Sequence, residues 1–213
     1  MSNYPKIEEI ILRLNSDELL KEKIYIVGGT VPYLVTKTIS NREHSDIDII
    51  VEEKNMDIVR EYLKRNKLYE EKYDSKEFNY NKNKIDYGID CNINGITVNF
   101  APFIITDNCM IQRNFLNKQS SGINALVTVT IQNIQLKDCI LEFYNNQVHL
   151  KTYNLEMIKL MKEKSNKPKD LIDIRIIDNY GYDREKYEEL KNKTNNMKFK
   201  IFPKSRVLRL LFR

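Results

Sequence analysis

The chain has 213 residues, 41% of them hydrophobic and 31% charged, with a formal net charge of +5. That balance is ordinary for a soluble globular protein and ample for a sizeable core. No apolar run approaches membrane-spanning length, and Met1 to Lys21 lacks the apolar core of a signal peptide, so a membrane-spanning protein is excluded and a cytoplasmic one expected. The three cysteines, Cys91, Cys109 and Cys139, are far apart without metal-ligand spacing and read as reduced thiols. With only His44 and His149, no histidine-based metal site is expected. Eight basic and no acidic residues fall between Lys191 and Arg213, leaving the rest at about −3. A basic tail on a mildly acidic body is not the footprint of a general nucleic-acid binder.

In chain order, Ile7, Ile10, Ile11, Leu14, Leu19 and Leu20 predict an amphipathic helix before the first strand. Ile24 to Val27 is a β-branched run ended by Gly28-Gly29, a strand entering a tight turn. Val31, Leu34 and Val35 then recur at helical spacing, and Pro32 is tolerated because a first helical turn needs no amide donor. A second strand carries Asp46 and Asp48 on one face and Ile47, Ile49 and Val51 on the other. Asn55 is placed to cap a helix with the stripe Met56, Val59, Tyr62 and Leu63. Leu68 to Tyr80 predicts one or two exposed strands.

Ile85 to Ile93 and Ile96 to Phe103 flank Asn94-Gly95, a strong hairpin signal, with Pro102 closing the second strand. Thr106 to Gly122 reads as a long polar loop containing a short helix, either bordering a binding site or a surface insertion. Ala125 to Ile131 is strand-like, and Cys139 to Phe143 with Gln147 to Leu150 predicts a hairpin around Asn145-Asn146. Asn154 caps a helix bearing Leu155, Ile158, Leu160 and Met161; Pro168 opens another, and a charged third runs from Arg184 to Leu190. The tail from Met197 mixes apolar and basic residues. It packs on the body, touches an anionic surface such as membrane or RNA, or binds a partner. The expected organisation is an α/β domain over 1–150, a helical part over 151–195 and a basic apolar tail over 196–213, the tail being dispensable for chemistry.

The chemistry concentrates between residues 24 and 51. A strand, a glycine pair and a helix N-terminus make a place suited to phosphate, because glycines let backbone amides approach and the helix end is partially positive. Asp46 and Asp48 repel each other unless a cation sits between them, and paired carboxylates with phosphate oxygens are what Mg²⁺ favours. Gly-Gly alone is a common turn and Asp-x-Asp alone a solvated strand end. Together they point to nucleotide phosphoryl chemistry.

Val27-Gly28-Gly29, a helix, and Arg42-Glu43-His44-Ser45-Asp46-Ile47-Asp48-Ile49 resemble the nucleotidyltransferases of the DNA polymerase beta superfamily, above all the small aminoglycoside and lincosamide branch. The resemblance implies a mixed α/β sheet with flanking helices and a helical C-terminal part. It also implies Mg²⁺-dependent transfer of a nucleoside monophosphate from a nucleoside triphosphate, ATP being the expected donor, to an acceptor hydroxyl. Asp46 and Asp48 would hold the metal; Gly28, Gly29 and the Thr30 amide or hydroxyl would hold the phosphates, with Arg42 assisting. Thr30 and Pro32-Tyr33 stand where that branch has Trp and an acidic residue, which leaves the acceptor open. The opening Val27-Gly28-Gly29-Thr30-Val31 also resembles tRNA CCA-adding enzymes, but Pro32-Tyr33 replaces their Arg-Asp. A tRNA or protein acceptor, as in nucleotidyltransferase toxins, and a catalytically silent nucleotide-binding protein are the rival readings.

Asn154-Leu155-Glu156, Met161-Lys162 and Lys167 to Ile174 resemble the helical region closing these enzymes. Lys162 and Lys169 are candidates to neutralise the triphosphate or the leaving pyrophosphate, or else lie on a solvated helix face, while Asp170 and Asp173 suit helix-end or interhelical contacts. The resembling enzymes carry a further aspartate on the strand where this chain has Asn99. A two-residue Asn94-Gly95 turn pairs Ile93 with Ile96, Asn92 with Thr97, Cys91 with Val98 and Asp90 with Asn99. Paired residues share a face, so Asp90 is expected beside Asn99, either as a surrogate acid or as a solvent-facing strand residue.

Overall fold

A computed structural model describes residues 3–40, 42–78, 84–116 and 125–203. The described residues form one ten-stranded mixed sheet and seven α-helices. Helix α1 (Tyr4–Ser16) buries Ile7, Ile10, Ile11 and Leu14 at the expected spacing, with a proline in its first turn. Strand β1 (Ile24–Val27) ends at Gly28, a single 3₁₀ turn follows over Gly28–Thr30, and helix α2 spans Val31–Thr36. Lys37 stops α2 in the left-handed conformation at φ 57°. Strand β2 (Asp46–Glu52) returns antiparallel to β1, pairing Val27 with Asp48.

Helix α3 (Met56–Arg65) starts where expected, but Asn55 makes no side-chain cap. Strand β3 (Asp74–Phe78) is the single described strand of the 68–80 segment. The hairpin of β4 (Lys84–Ile93) and β5 (Ile96–Ile105) has the anticipated register, Ile93 with Ile96 through Asp90 with Asn99. Pro102 does not close β5. Pairing with β4 ends at Phe100 and pairing with β6 (Cys109–Leu116) begins at Phe103, so Pro102 falls in the gap where no ladder donor is needed. The existence of β6 corrects the expected loop over Thr106 to Gly122. Eight of those residues form a strand between β5 and β7 (Ala125–Gln132), and 117–122 lie outside the described residues.

After helix α4 (Leu136–Cys139), strands β8 (Ile140–Asn145) and β9 (Val148–Tyr153) form the second hairpin. Its turn lies one residue later than expected, at Asn146 and Gln147, both with positive φ. Helix α5 (Leu155–Ser165) is capped by Asn154, whose side chain accepts from the Met157 amide at 2.9 Å. Helices α6 (Asp170–Tyr180) and α7 (Arg184–Thr194) follow, the latter capped by Asp183. The chain then returns to the sheet: β10 (Lys198–Pro203) pairs antiparallel with β7, which puts this part of the tail on the body. The rest of the tail lies outside the described residues.

The sheet order is β10-β7-β6-β5-β2-β1-β9-β8, with β4 beside β5 and β3 beyond it. The β2–β5 and β1–β9 pairs are parallel and the others antiparallel. The core joins α1, α3 and the strands through residues such as Leu14, Ile26, Ile47, Ile49, Tyr62 and Phe100, all but excluded from solvent. Arg60 on α3 locks the outer strands by forking onto Asp74 at 2.8 Å and Asp86 at 2.7 and 2.9 Å. Among the described residues, no helix is long and apolar enough to cross a membrane.

Candidate active site

The centre of the site is set by the pairing of Val27 with Asp48. It brings the first glycine of the turn against the second carboxylate of the strand. Gly28 has φ +75°, and a Cβ there would run into Asp48 Oδ2 and stand 3.1 Å from Asp48 Cγ. Neither the backbone nor the space admits another residue. The second glycine lies under Arg42, where a Cβ would stand 2.8 Å from Nη2.

Asp46 is exposed and Asp48 half-buried on the same face of β2. Among the described residues, Asp48 makes no hydrogen bond and no ion pair. Burial pushes its carboxyl up to about 6 and the charge of Asp46 adds to this, opposed by Lys162 and Lys169. Two adjacent carboxylates, one stripped of partners and partly desolvated, suit a divalent cation. No group of three or more His, Cys, Asp or Glu side chains among the described residues is placed to hold a metal. Two protein carboxylates with the remaining positions left to phosphate oxygens and water is how Mg²⁺ is held in nucleotide enzymes.

Across β5 the row continues. Asp48 pairs with Asn99, and Asn99 pairs with Asp90. Asn99 Nδ2 donates to Asp90 Oδ1 at 2.5 Å and to Asn114 Oδ1 on β6 at 3.3 Å. Burial raises the Asp90 carboxyl, and the hydrogen bond from Asn99 pulls it back in part. Asn114 belongs to the segment that the sequence presents as a loop. Its place here had no local signal.

The expected phosphate-binding cations have other partners. Arg42 forms an ion pair with fully buried Asp173 on α6, and its own side chain is 9% exposed. Lys162 on α5 bridges Asp170 and Asp173, at 2.8 Å to each. Tyr33 donates to Asp173 Oδ1 at 3.2 Å and accepts from Ser40 at 2.9 Å. This network ties the C-terminal helices to the glycine turn, which is the interhelical role expected of Asp170 and Asp173. The Thr30 hydroxyl is buried and makes no hydrogen bond among the described residues. Lys169 is exposed, forms no ion pair among the described residues, and its charge still reaches Asp48.

His44 belongs to the run that carries the family resemblance but had no site role assigned from sequence. It is 3% exposed, stacks edge-on against Tyr33 with 4.8 Å between centroids, and has no partner at Nε2. Burial, then the charge of Arg42, lowers its pKa to about 4, so it is neutral in the folded protein.

No family model matches the chain, and no curated protein matches it. Solved structures do. The solution structure of the antibiotic-resistance factor ANT(2'')-Ia aligns with a TM-score of 0.50 at 14% identity, covering 88% of each chain. The crystal structure of ANT(2'')-Ia in complex with adenylyl-2''-tobramycin aligns with a TM-score of 0.50 at 15% identity, covering 88% of this chain and 94% of the other. An antigenic nucleotidyltransferase-like protein from Paracoccidioides brasiliensis aligns with a TM-score of 0.39 at 15% identity, over 90% and 86% of the two chains. The chain thus shares its overall fold with the nucleotidyltransferase ANT(2'')-Ia.

Proposed function

We propose that the chain is a Mg²⁺-dependent nucleotidyltransferase moving a nucleoside monophosphate, from ATP as the expected donor, to a hydroxyl of a small acceptor of aminoglycoside or lincosamide type. The observation that carries this reading is the half-buried, unpartnered Asp48 carboxylate pressed against Gly28, with Asp46 beside it. Asp46 and Asp48 hold the metal. The Gly28–Gly29 turn and the start of α2 receive the triphosphate, with Lys169 as the uncommitted cation nearby. When bound, Mg²⁺ supplies neutralisation of the phosphate oxygens and polarises the phosphorus under attack. Arg42 and Lys162, held by Asp170 and Asp173, keep the turn and the C-terminal helices in register around the nucleotide. The likeness in fold to ANT(2'')-Ia, seen with adenylyl-2''-tobramycin, supports a small polyhydroxylated acceptor.

Asn99 favours a second reading, a silent nucleotide-binding protein, because an amide cannot take a proton at neutral pH. One experiment separates the two. The protein is incubated with each α-labelled nucleoside triphosphate, Mg²⁺, and pools of aminoglycosides, lincosamides, tRNA and protein, and both label and pyrophosphate are followed. Label is expected on a small acceptor, and Asp46→Asn or Asp48→Asn should lower the rate on the order of 10²-fold or more without unfolding the chain. Near-full activity in either single variant would remove the metal assignment. Nucleotide binding without pyrophosphate would favour the silent protein.

A further inference from the structure

Nucleotidyl transfer to a hydroxyl leaves a proton to be placed, and the two metal carboxylates are not free to take it. Around the site Lys169 is an exposed cation left to the phosphates, and the remaining ionisable groups are committed or out of reach. Lys162 is bound to two aspartates, Arg42 to Asp173, and His44 is buried against Tyr33. Asp90 is different. It lies two strands from Asp48 in one transverse row, Asp48–Asn99–Asp90. At about 4.8 Å between strands, the two aspartate backbones flank a span of about 10 Å over the short Asn99 side chain.

Resting on the transferase reading above, we propose that Asp90 is the general base of this site and Asn99 the residue that positions it. An ionised carboxylate only accepts hydrogen bonds, so the Asn99 amide must turn Nδ2 towards Asp90. The second donor of the same nitrogen meets Asn114 Oδ1 on β6 at 3.3 Å, a second restraint on the amide. Asp90 Oδ1 is thereby engaged at 2.5 Å, while Oδ2 makes no hydrogen bond among the described residues. Strand β4 is itself held by the Arg60 forks onto Asp74 and Asp86, so the carboxylate does not drift. In the reaction the acceptor hydroxyl oxygen forms a bond to the α-phosphorus, and its proton passes to Asp90 Oδ2. The bond from that phosphorus to the bridging oxygen breaks, and pyrophosphate leaves with the electron pair. Asp90 then returns its proton to solvent.

The test follows pyrophosphate release from Mg²⁺ and ATP against pH, with the acceptor found above or with water standing as acceptor. Mg·ATP binding is measured by calorimetry on the same preparations. Asp90→Asn should lower kcat by about 10²–10⁴-fold while changing Mg·ATP affinity by less than about threefold. Asp90→Glu should recover part of the rate. Asn99→Ala removes the hydrogen bond that lowers the Asp90 pKa, so the acidic limb of its pH–rate profile should move to higher pH. If Asp90→Asn fails to fold, that limb decides the matter alone. Asp90 is a bystander if Asp90→Asn keeps the wild-type kcat, if affinity falls as far as rate, or if the Asn99→Ala limb stays in place. A wild-type chain that binds Mg·ATP but releases no pyrophosphate with any acceptor overturns the transferase reading, and this one with it.

Discussion

Gly28 and Asp48 compete for one volume, and the competition makes the site testable without knowing the acceptor. Gly28→Ala forces a left-handed backbone onto a residue with a side chain and drives that side chain into Asp48 Oδ2. Gly95 is the matched control, with φ +84° and nothing within 4 Å of a built Cβ. Each alanine should lower stability by roughly 1–2 kcal/mol from backbone conformation alone. Only Gly28→Ala should also abolish Mg·ATP binding, measured by calorimetry; equal binding by the two variants would detach the glycine turn from the metal strand. Gly28, Asp46 and Asp48 were legible in the sequence because glycine conformation and carboxylate spacing are local properties. The state of Arg42 and Lys162 was not, because Asp170 and Asp173 reach them only through the packing of α5 and α6 on the turn. A cation in a motif does not announce whether a distant buried carboxylate already holds it.

Elements were legible where a short turn fixes long-range pairing. Asn94-Gly95 leaves one register for β4 and β5, and that register sets Asp90 beside Asn99. Strand β6 was hidden for the opposite reason. Its Gln112 and Asn114 point to the polar site face and Arg113 pairs with Glu53, so it lacks the apolar alternation that marks a strand. Strand β10 was hidden because Phe199 and Ile201 stay 60% and 58% exposed, and because four helices and a hairpin lie between it and its partner β7. Its place in the sheet alters what removal of the tail does. A chain stopped at Asn195 loses six paired residues and bares the edge of β7, a template for strand addition. From the lost strand pairing alone, the cost should be on the order of 1–3 kcal/mol. The truncated chain should keep Mg·ATP binding yet self-associate, as light scattering would report. A monomer of unchanged stability would mean β10 adds nothing to the sheet.

For the whole molecule, two groups near the site give the metal-free protein opposite pH dependences. His44 has its pKa lowered from 6.5 to about 4, by burial and then by Arg42, with Lys162 lowering and Asp173 and Asp46 opposing. Between those values the unfolded chain takes up a proton that the folded one refuses, so this group removes stability as pH falls from 6.5 towards 4. Asp48 has its pKa raised from 3.8 to about 6 by burial and by Asp46. There the folded chain binds the extra proton, so stability rises as pH falls from about 6 towards 3.8. Each shift corresponds to about 3 kcal/mol, with opposite sign. Asp90, also raised, adds to the Asp48 side. Carboxylates held below their usual range, such as Asp74 beside Arg60 and Asp170 beside Lys162, lose their contribution only near and below about pH 4, outside this window. Denaturant unfolding in EDTA, stepped from pH 6.5 to 4, should therefore give a nearly flat profile for the natural chain. Asp48→Asn removes one arm, and its stability should fall by about 3 kcal/mol across the window. His44→Gln removes the other and should grow more stable on acidification. If Asp48→Asn stays as flat as the natural chain, the desolvation of Asp48 is not stored in the fold, and the strain that a metal would relieve is absent.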